Sequence, residues 1–288
     1  MQLVLNELSF YPLASQEQNI NERFQQLLLT FKESKHKYGF KHIRFPNNYI
    51  DLPISESQNF IEWITSTQQR KLRDLLLGLC KKPFIDDLEE NEIEKFLESE
   101  YKLPQDRCPT QVPPIGIPVS YIKQLPTISL DSHIFWRNRK IYVEKNDVNS
   151  VKKEISIYNI CLDTDVHTLE INEWAKSYLP KSIKTKESLS KFLEYSKYKI
   201  EFTDIFIVQL LNWKEENFDT FEYILDLMKD VENHPFTGGI GQTENLKNRG
   251  KEASKRINNS YPSGDRLSYT LSDNVVKFIA CKGHYEFH

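Results

Sequence analysis

The stretch VVKFIACKGHYEFH begins with an apolar run, Val275–Cys281, and opens through Gly283 into His284 and Tyr285. An imidazole titrates near neutrality and can hold or release a proton there. A buried strand leading straight into such a group is a rigid way of setting it against a substrate. Two strand candidates precede it, SKRIN and DRLSYTL, and each carries an arginine. In DRLSYTL, Leu267, Tyr269 and Leu271 share one face while Arg266, Ser268 and Thr270 share the other; in SKRIN, Arg256 is opposite in parity to Ile257. Both arginines are thus predicted to point onto an open face. Residues 247–288 hold eight Lys or Arg against four acids, and residues 214–232 hold seven acids against two Lys. The strand half predicts a surface for a polyanion, backed by solvated acidic helices.

The order of these pieces resembles the YoeB/Txe-type toxins of the RelE/ParE superfamily, ribosome-dependent mRNA endonucleases of toxin–antitoxin systems. The resemblance runs through HPFTGGIGQTENLK, where the family has a Pro-Phe–Gly stretch and a Pro-Glu-Pro-Leu-Lys-like turn. SKRI matches a Ser-Arg-Arg-Ile-like strand, DRLSY a His-Arg-Leu-Val-Tyr-like strand, and IACKGHY an Ala-Cys-Arg-Tyr-His-Tyr-like ending. It covers residues 198–288 and nothing upstream. The chain departs from the pattern in three places. NNSYPSG lengthens the connection between the two arginine strands, Lys282 and Gly283 replace an arginine and a basic or aromatic residue, and Glu286, Phe287 and His288 follow the tyrosine.

RNA cleavage by the substrate's own 2′-hydroxyl needs a base to take its proton, an acid to protonate the departing 5′ oxygen, and cations on the phosphoryl oxygens. The resemblance implies Glu244 as general base, His284 as general acid, Arg266 on the scissile phosphate, and Tyr285 stacked on or positioning a nucleotide. Lys247 and Arg256 are implied as supporting phosphate contacts, since a guanidinium fork suits phosphate oxygens. No metal and no cofactor enter this chemistry.

The elements that must position these groups read as a small α+β domain over residues 197–288: a strand in KYKIEFTD, two helices in IFIVQLLNWKEENFDTFEYILDLMKDVENHPF, a glycine-rich loop, and an antiparallel meander. Phe206, Leu210, Trp213, Phe221, Ile224, Leu225 and Met228 are predicted to face inward from the helices. Residues 1–196 read as a mixed α/β domain. Helices are expected in SQEQNINERFQQLLLTFKESKHKYGF (caps Ser15 and Asn19, stop Gly39), in SESQNFIEWITST (a capping box from Ser55 to Gln58), in QQRKLRDLLLGLC and in EENEIEKFLESEY. Strands are expected in KHIRF, TISL, HIFW, KIYVE and EISIYNICL. Five prolines in residues 103–118 predict an exposed loop or a boundary at about 104–118.

Composition sets outer bounds. A net charge of −3 excludes a protein basic overall but not a local basic patch, and 17 Phe, 14 Tyr and 4 Trp provide bulky core material. No run reaches the ~18 apolar residues of a membrane span, and MQLVLNELSF lacks the basic start of a signal peptide. Cys80, Cys108, Cys161 and Cys281 have no metal-site spacing and read as small buried thiols, which fits a reducing cytoplasm. Asp163, Asp165 and His167, and likewise Asp131 and His133, read as solvated loops; Arg137, Arg139 and Lys140 read as a basic turn.

The N-terminal domain predicts restraint, sensing of a trigger such as phage infection, or docking. The acidic segment DDLEENEIEKFLESE motivates the first, as a competitor with RNA. The partners implied are mRNA and the ribosome, an antitoxin or the N-terminal domain as inhibitor, and a second copy of the chain, with no membrane. The alternative is a non-catalytic RelE/ParE-like module that binds a protein such as gyrase or an antitoxin.

Overall fold

The computed structural model describes residues 1–80, 82–84, 88–104, 108–147, 152–193, 196–245, 251–258 and 264–283. It divides into two compact units, Met1–Lys176 and Ser177–His288.

In the first unit the chain runs β1 (Gln2–Leu5), α1 (Glu17–Tyr38), β2 (His42–Phe45), α2 (Phe60–Ser66), α3 (Arg70–Leu79), β3 (Lys82–Pro83), α4 (Glu90–Leu97), β4 (Ser99–Lys102), α5 (Gly116–Lys123), β5 (Thr127–Ile128), β6 (Lys140–Asp147) and β7 (Lys152–Ile160). The strands form one sheet in the order β3-β2-β1-β5-β7-β6-β4. From β3 to β7 the pairing is parallel, and β6 and β4 add antiparallel strands at one side. In open sheets of this kind ligands bind where the strand order reverses, beyond the carboxyl ends of the strands. That reversal falls between β1 and β5. The space after β1 is taken by a 3-10 helix, Glu7–Phe10, whose four residues are all buried. Asn6 donates to Ser129 Oγ (2.9 Å), and Ser129 and Thr127 both donate to Asn159 Oδ1 (2.7 and 2.9 Å). The polar groups at these strand ends bond to one another.

Several local expectations change. HIFW forms part of a 3-10 helix, Ile134–Arg137, not a strand, because Trp136 turns inward and is fully buried. Neither Ser15 nor Asn19 caps α1, whose N-cap is Gln16 without a side-chain bond. The capping box expected at Ser55/Gln58 lies at Asn59/Glu62. Pro118 lies inside α5, in its first turn, where the missing N–H costs no helical bond. The central strand β1 was not foreseen, since a four-residue apolar run carries no usable period.

The second unit carries the candidate site. Helix α6 (Leu169–Ser182) runs across the boundary at Ser177, and after it come α7 (Lys186–Phe192), β8 (Lys199–Phe202), α8 (Asp204–Glu216), α9 (Phe218–Asp230), β9 (Glu244–Asn245), β10 (Glu252–Arg256), β11 (Arg266–Ser272) and β12 (Val275–Ala280). The sheet order is β8-β12-β11-β10-β9. Pairing is antiparallel along β9 to β12, as the meander predicts, while β8 lies parallel to β12. This is the expected α+β arrangement. Phe206, Leu210, Phe221, Ile224, Leu225 and Met228 are buried with Leu267, Tyr269, Val276 and Phe278; Trp213 is partly buried against the same core. The rings of Phe202, Phe206 and Phe278 stack with centroids 5.6–6.1 Å apart. Ile183, Leu189 and Leu193 belong to this core as well. The compact unit accordingly begins ahead of the boundary at residue 197 read from the sequence.

One buried acid in the first unit has a measurable signature. Glu7 accepts from the amides of Ile115 (2.6 Å) and Gly116 (2.9 Å), where a Cβ at Gly116 would overlap its carboxylate. Burial raises its pKa from 4.5 to about 7, against the lowering effect of those amides. A carboxyl with a raised folded-state pKa stabilises most below its unfolded value and loses that contribution as pH rises through the folded value. The stability of this unit should therefore fall by about 3 kcal/mol between pH 4.5 and 7. Denaturant melts of the wild type and of Glu7→Gln across this range check it, and equal pH slopes would refute the assignment.

Candidate active site

Register brings the site together. Arg256 on β10 and Arg266 on β11 are direct cross-strand partners, and two residues along Ser254 pairs with Ser268 on one side and with Glu244 of β9 on the other. Side chains two apart on a strand share a face, so Glu244, Arg256 and Arg266 all project to the side away from Ala253, Leu267 and Tyr269. Glu244 Oε1 lies 3.1 Å from Arg266 Nη1 and 3.6 Å from Arg256 Nη2. Like charges directly opposite on a sheet repel; here one carboxylate oxygen serves both guanidinium groups. The face is as parity predicts, but its exposure is not. Arg266 is only 4% exposed and its carboxylate partner 41%. A buried guanidinium needs pairing, and the Glu244 carboxylate contributes to it here.

The exit of β12 is held by side chains. Gln209 Oε1 accepts from the amides of Cys281 (2.7 Å) and Lys282 (3.1 Å), and Trp213 Nε1 donates to the Cys281 carbonyl (2.8 Å). The Gly283 amide donates to Asp265 Oδ1 at 2.8 Å, with Gly283 at φ +82°. Asp265 in turn exchanges two hydrogen bonds with the Asn258 side chain and immediately precedes Arg266. The residue before His284 is thus tied to the residue before Arg266. His284, Tyr285 and Lys247, all expected site residues, lie outside the described residues.

The family model of the YoeB-like toxin of bacterial type II toxin–antitoxin systems matches residues 202–285. The YoeB dimer from Staphylococcus aureus is 30% identical over 31% of this chain and 99% of its own, with a TM-score of 0.28. The C-terminal unit belongs to the YoeB-like toxin family. Two further solved structures are similar over the same share. A YoeB–YefM complex from Staphylococcus aureus is 31% identical (31% of this chain, 98% of that chain, TM-score 0.27), and a YoeB/ParE toxin from Agrobacterium tumefaciens is 27% identical (30% and 99%, TM-score 0.27). No curated protein matches the chain. Residues 1–201 lie outside the family match.

Within the YoeB-like unit the sequence pointed to Glu244, Arg256 and Arg266, which the fold brings together. It gave no role at the strand exit to Gln209, Asp265 or Trp213, the last of which it read only as an inward-facing core residue, yet these three hold that exit. Their signal was faint: Gln209 is a polar residue between the inward positions Phe206 and Leu210, and Asp265 is flanked by the loop insertion. In the other unit, the clusters read as loops have structural partners. Asp165 accepts from the amides of Cys161 and Leu162 and pairs with Arg139 (3.6 Å), while His167 meets Glu33 (3.0 Å). Asp131 pairs with Arg137, and His133 Nδ1 accepts from the Phe135 amide. Among the described residues no three His, Cys, Asp or Glu gather as a metal site, and no helix is long and apolar enough to cross a membrane. Cys80, Cys161 and Cys281 are buried and Cys108 partly so, and burial pushes all four thiols up.

The Asp265 clamp predicts a local effect. Asp265→Ala should lower hydrogen-exchange protection of the Gly283 amide on the order of 10- to 100-fold, the worth of one charge-assisted bond. Asp265→Asn, which keeps an acceptor, should lower it less. Unchanged protection in Asp265→Ala would remove the clamp.

Proposed function

We propose that the YoeB-like unit is an endoribonuclease that cleaves mRNA on the ribosome through the 2′-hydroxyl of the substrate. The observation that carries this reading is the Glu244 carboxylate 3.1 Å from Arg266 with Arg256 beside it. An incoming phosphodiester competes with Glu244 for the two guanidinium groups. As the phosphate takes them over, the carboxylate is released beside the ribose and can accept the 2′-hydroxyl proton. The 2′ oxygen then attacks phosphorus, and Arg266 and Arg256 balance the charge that grows on the phosphoryl oxygens. His284 donates the proton that the departing 5′ oxygen needs, leaving a 2′,3′-cyclic phosphate and a free 5′-hydroxyl. Tyr285 positions a nucleotide, and Lys247 adds a phosphate contact. No cofactor is needed for this route.

The scheme is tested by substitution. Glu244→Gln and His284→Ala should each lower mRNA cleavage by at least about 100-fold, in line with loss of a general base or acid, while circular dichroism stays unchanged. Arg266→Ala should lose more than Arg256→Ala. Primer extension on mRNA from cells after brief induction reads the cuts; cleavage persisting in both Glu244→Gln and His284→Ala rejects the site.

Burial of Arg266 favours a second reading, in which the unit binds a protein partner such as gyrase or an antitoxin without cutting RNA. Family membership in type II toxin–antitoxin systems supports an antitoxin-type partner under either reading. In the first, the unit of residues 1–176 restrains the nuclease, senses a trigger such as phage infection, or docks it on its target in the cytoplasm. α4, with Glu90, Glu92 and Glu94 exposed or partly so, provides an acidic surface for restraint. Expressing residues 177–288 keeps Ile183, Leu189 and Leu193 in their core. Restraint predicts stronger growth arrest from this fragment than from the full chain, and docking predicts weaker arrest. Equal arrest rejects both.

A further inference from the structure

β10 carries two adjacent cations with opposite fates. Arg256 turns to the site, while Lys255 turns to the core and is 0% exposed. An alkyl side chain would fill that space at no electrostatic cost, whereas an ammonium must be paired there. Lys255 Nζ donates to Asp230 Oδ2 (2.7 Å) at the end of α9 and to Thr243 Oγ1 (2.8 Å), with the carbonyls of Ile240 (3.3 Å) and Gly238 (3.4 Å) also in reach. Asp230 further accepts from the Ile240 amide (3.1 Å) and bonds His234 Nδ1 (2.8 Å). Burial acts to raise the Asp230 pKa, and the bonds from Lys255 and His234 hold it below the usual carboxylate range.

The loop from His234 to Thr243 is wound around this pair. Gly238, Gly239 and Gly241 all have φ between +70° and +79°. A Cβ at Gly239 would overlap the Asp230 carboxylate, and one at Gly241 would overlap Leu227. Only glycine satisfies both the backbone and the close approach. Thr243, held by Lys255 and donating to the Gly238 carbonyl (2.8 Å), is the residue before Glu244. β9 is two residues long and has only Glu244 and Asn245 registered against β10. The place of the Glu244 carboxylate is set by that register together with where the loop delivers Thr243.

We propose that Lys255 is a positioning residue for cleavage: its buried ammonium ties Asp230 to Thr243 and so sets Glu244 at bonding distance from Arg266. It reaches no substrate, and it acts only through the carboxylate. The proposal rests on the reading of Glu244 as the general base.

The test uses the full-length chain on ribosomes programmed with a defined mRNA. Lys255→Met keeps the buried stem and removes the charge, and Thr243→Val removes one acceptor without stranding a charge. Both should lower kcat about 10- to 100-fold, the effect of shifting a reacting group by about 1 Å, with KM within about twofold and, for Thr243→Val, an unchanged melting temperature. Lys255→Arg, which supplies the residue type at this point of the family pattern, should restore most of the rate. Wild-type kcat in Thr243→Val and Lys255→Met overturns the proposal, as does a loss that appears in KM alone or only in proportion to unfolded protein. Glu244→Gln is measured in parallel. If it cleaves normally, the base assignment has failed; if it is inactive while the Thr243 and Lys255 variants are fully active, only the positioning role has failed.

Discussion

Two guanidinium groups face each other across β10 and β11, and the Glu244 carboxylate pairs with both. One of the two is almost wholly withdrawn from water, where a charge must be paired. Around that contact the sheet carries a compact cluster of charge. Much of the second unit can be understood as support for that contact. The register of three strands aligns the groups, the helical hairpin backs the sheet with aromatic packing, and the glycine loop brings the acid in from the side.

The legible part of the sequence was the part with a period or an order. α1 and α3 show helical spacing, β11 alternates and β12 is an apolar run, so all four were readable. Glu244, Arg256 and Arg266 could be picked out because their neighbours follow the family order. The short strand β1 was not readable: its four residues become a strand only through parallel neighbours far away in sequence, whereas TISL was read as the strand that contains β5. HIFW has the composition of a strand, yet Trp136 is satisfied by donating to the Tyr11 carbonyl, a tertiary contact with no local trace. Lys255 was hidden for the opposite reason. A lysine in a polar-looking strand reads as solvent-exposed, and only the fold reveals Asp230 waiting for it.

The first unit tells a different story about sequence and function. Its strand order would ordinarily leave a ligand crevice between β1 and β5, yet Leu8, Ser9 and Phe10 fill the approach and Asn6, Ser129 and Asn159 bond to one another. Fold class alone would have suggested a nucleotide site. The side chains make a packed scaffold at that point.

The adjacent cations of β10 also bear on how the sheet finds its alignment. A slip by one residue would put Ser254 or Arg256 in the place of Lys255 opposite Asp230 and would take Arg256 away from Glu244. Most strands discriminate against such an error by hydrophobicity alone. Here two ion pairs on opposite faces of one strand are satisfied together in a single register.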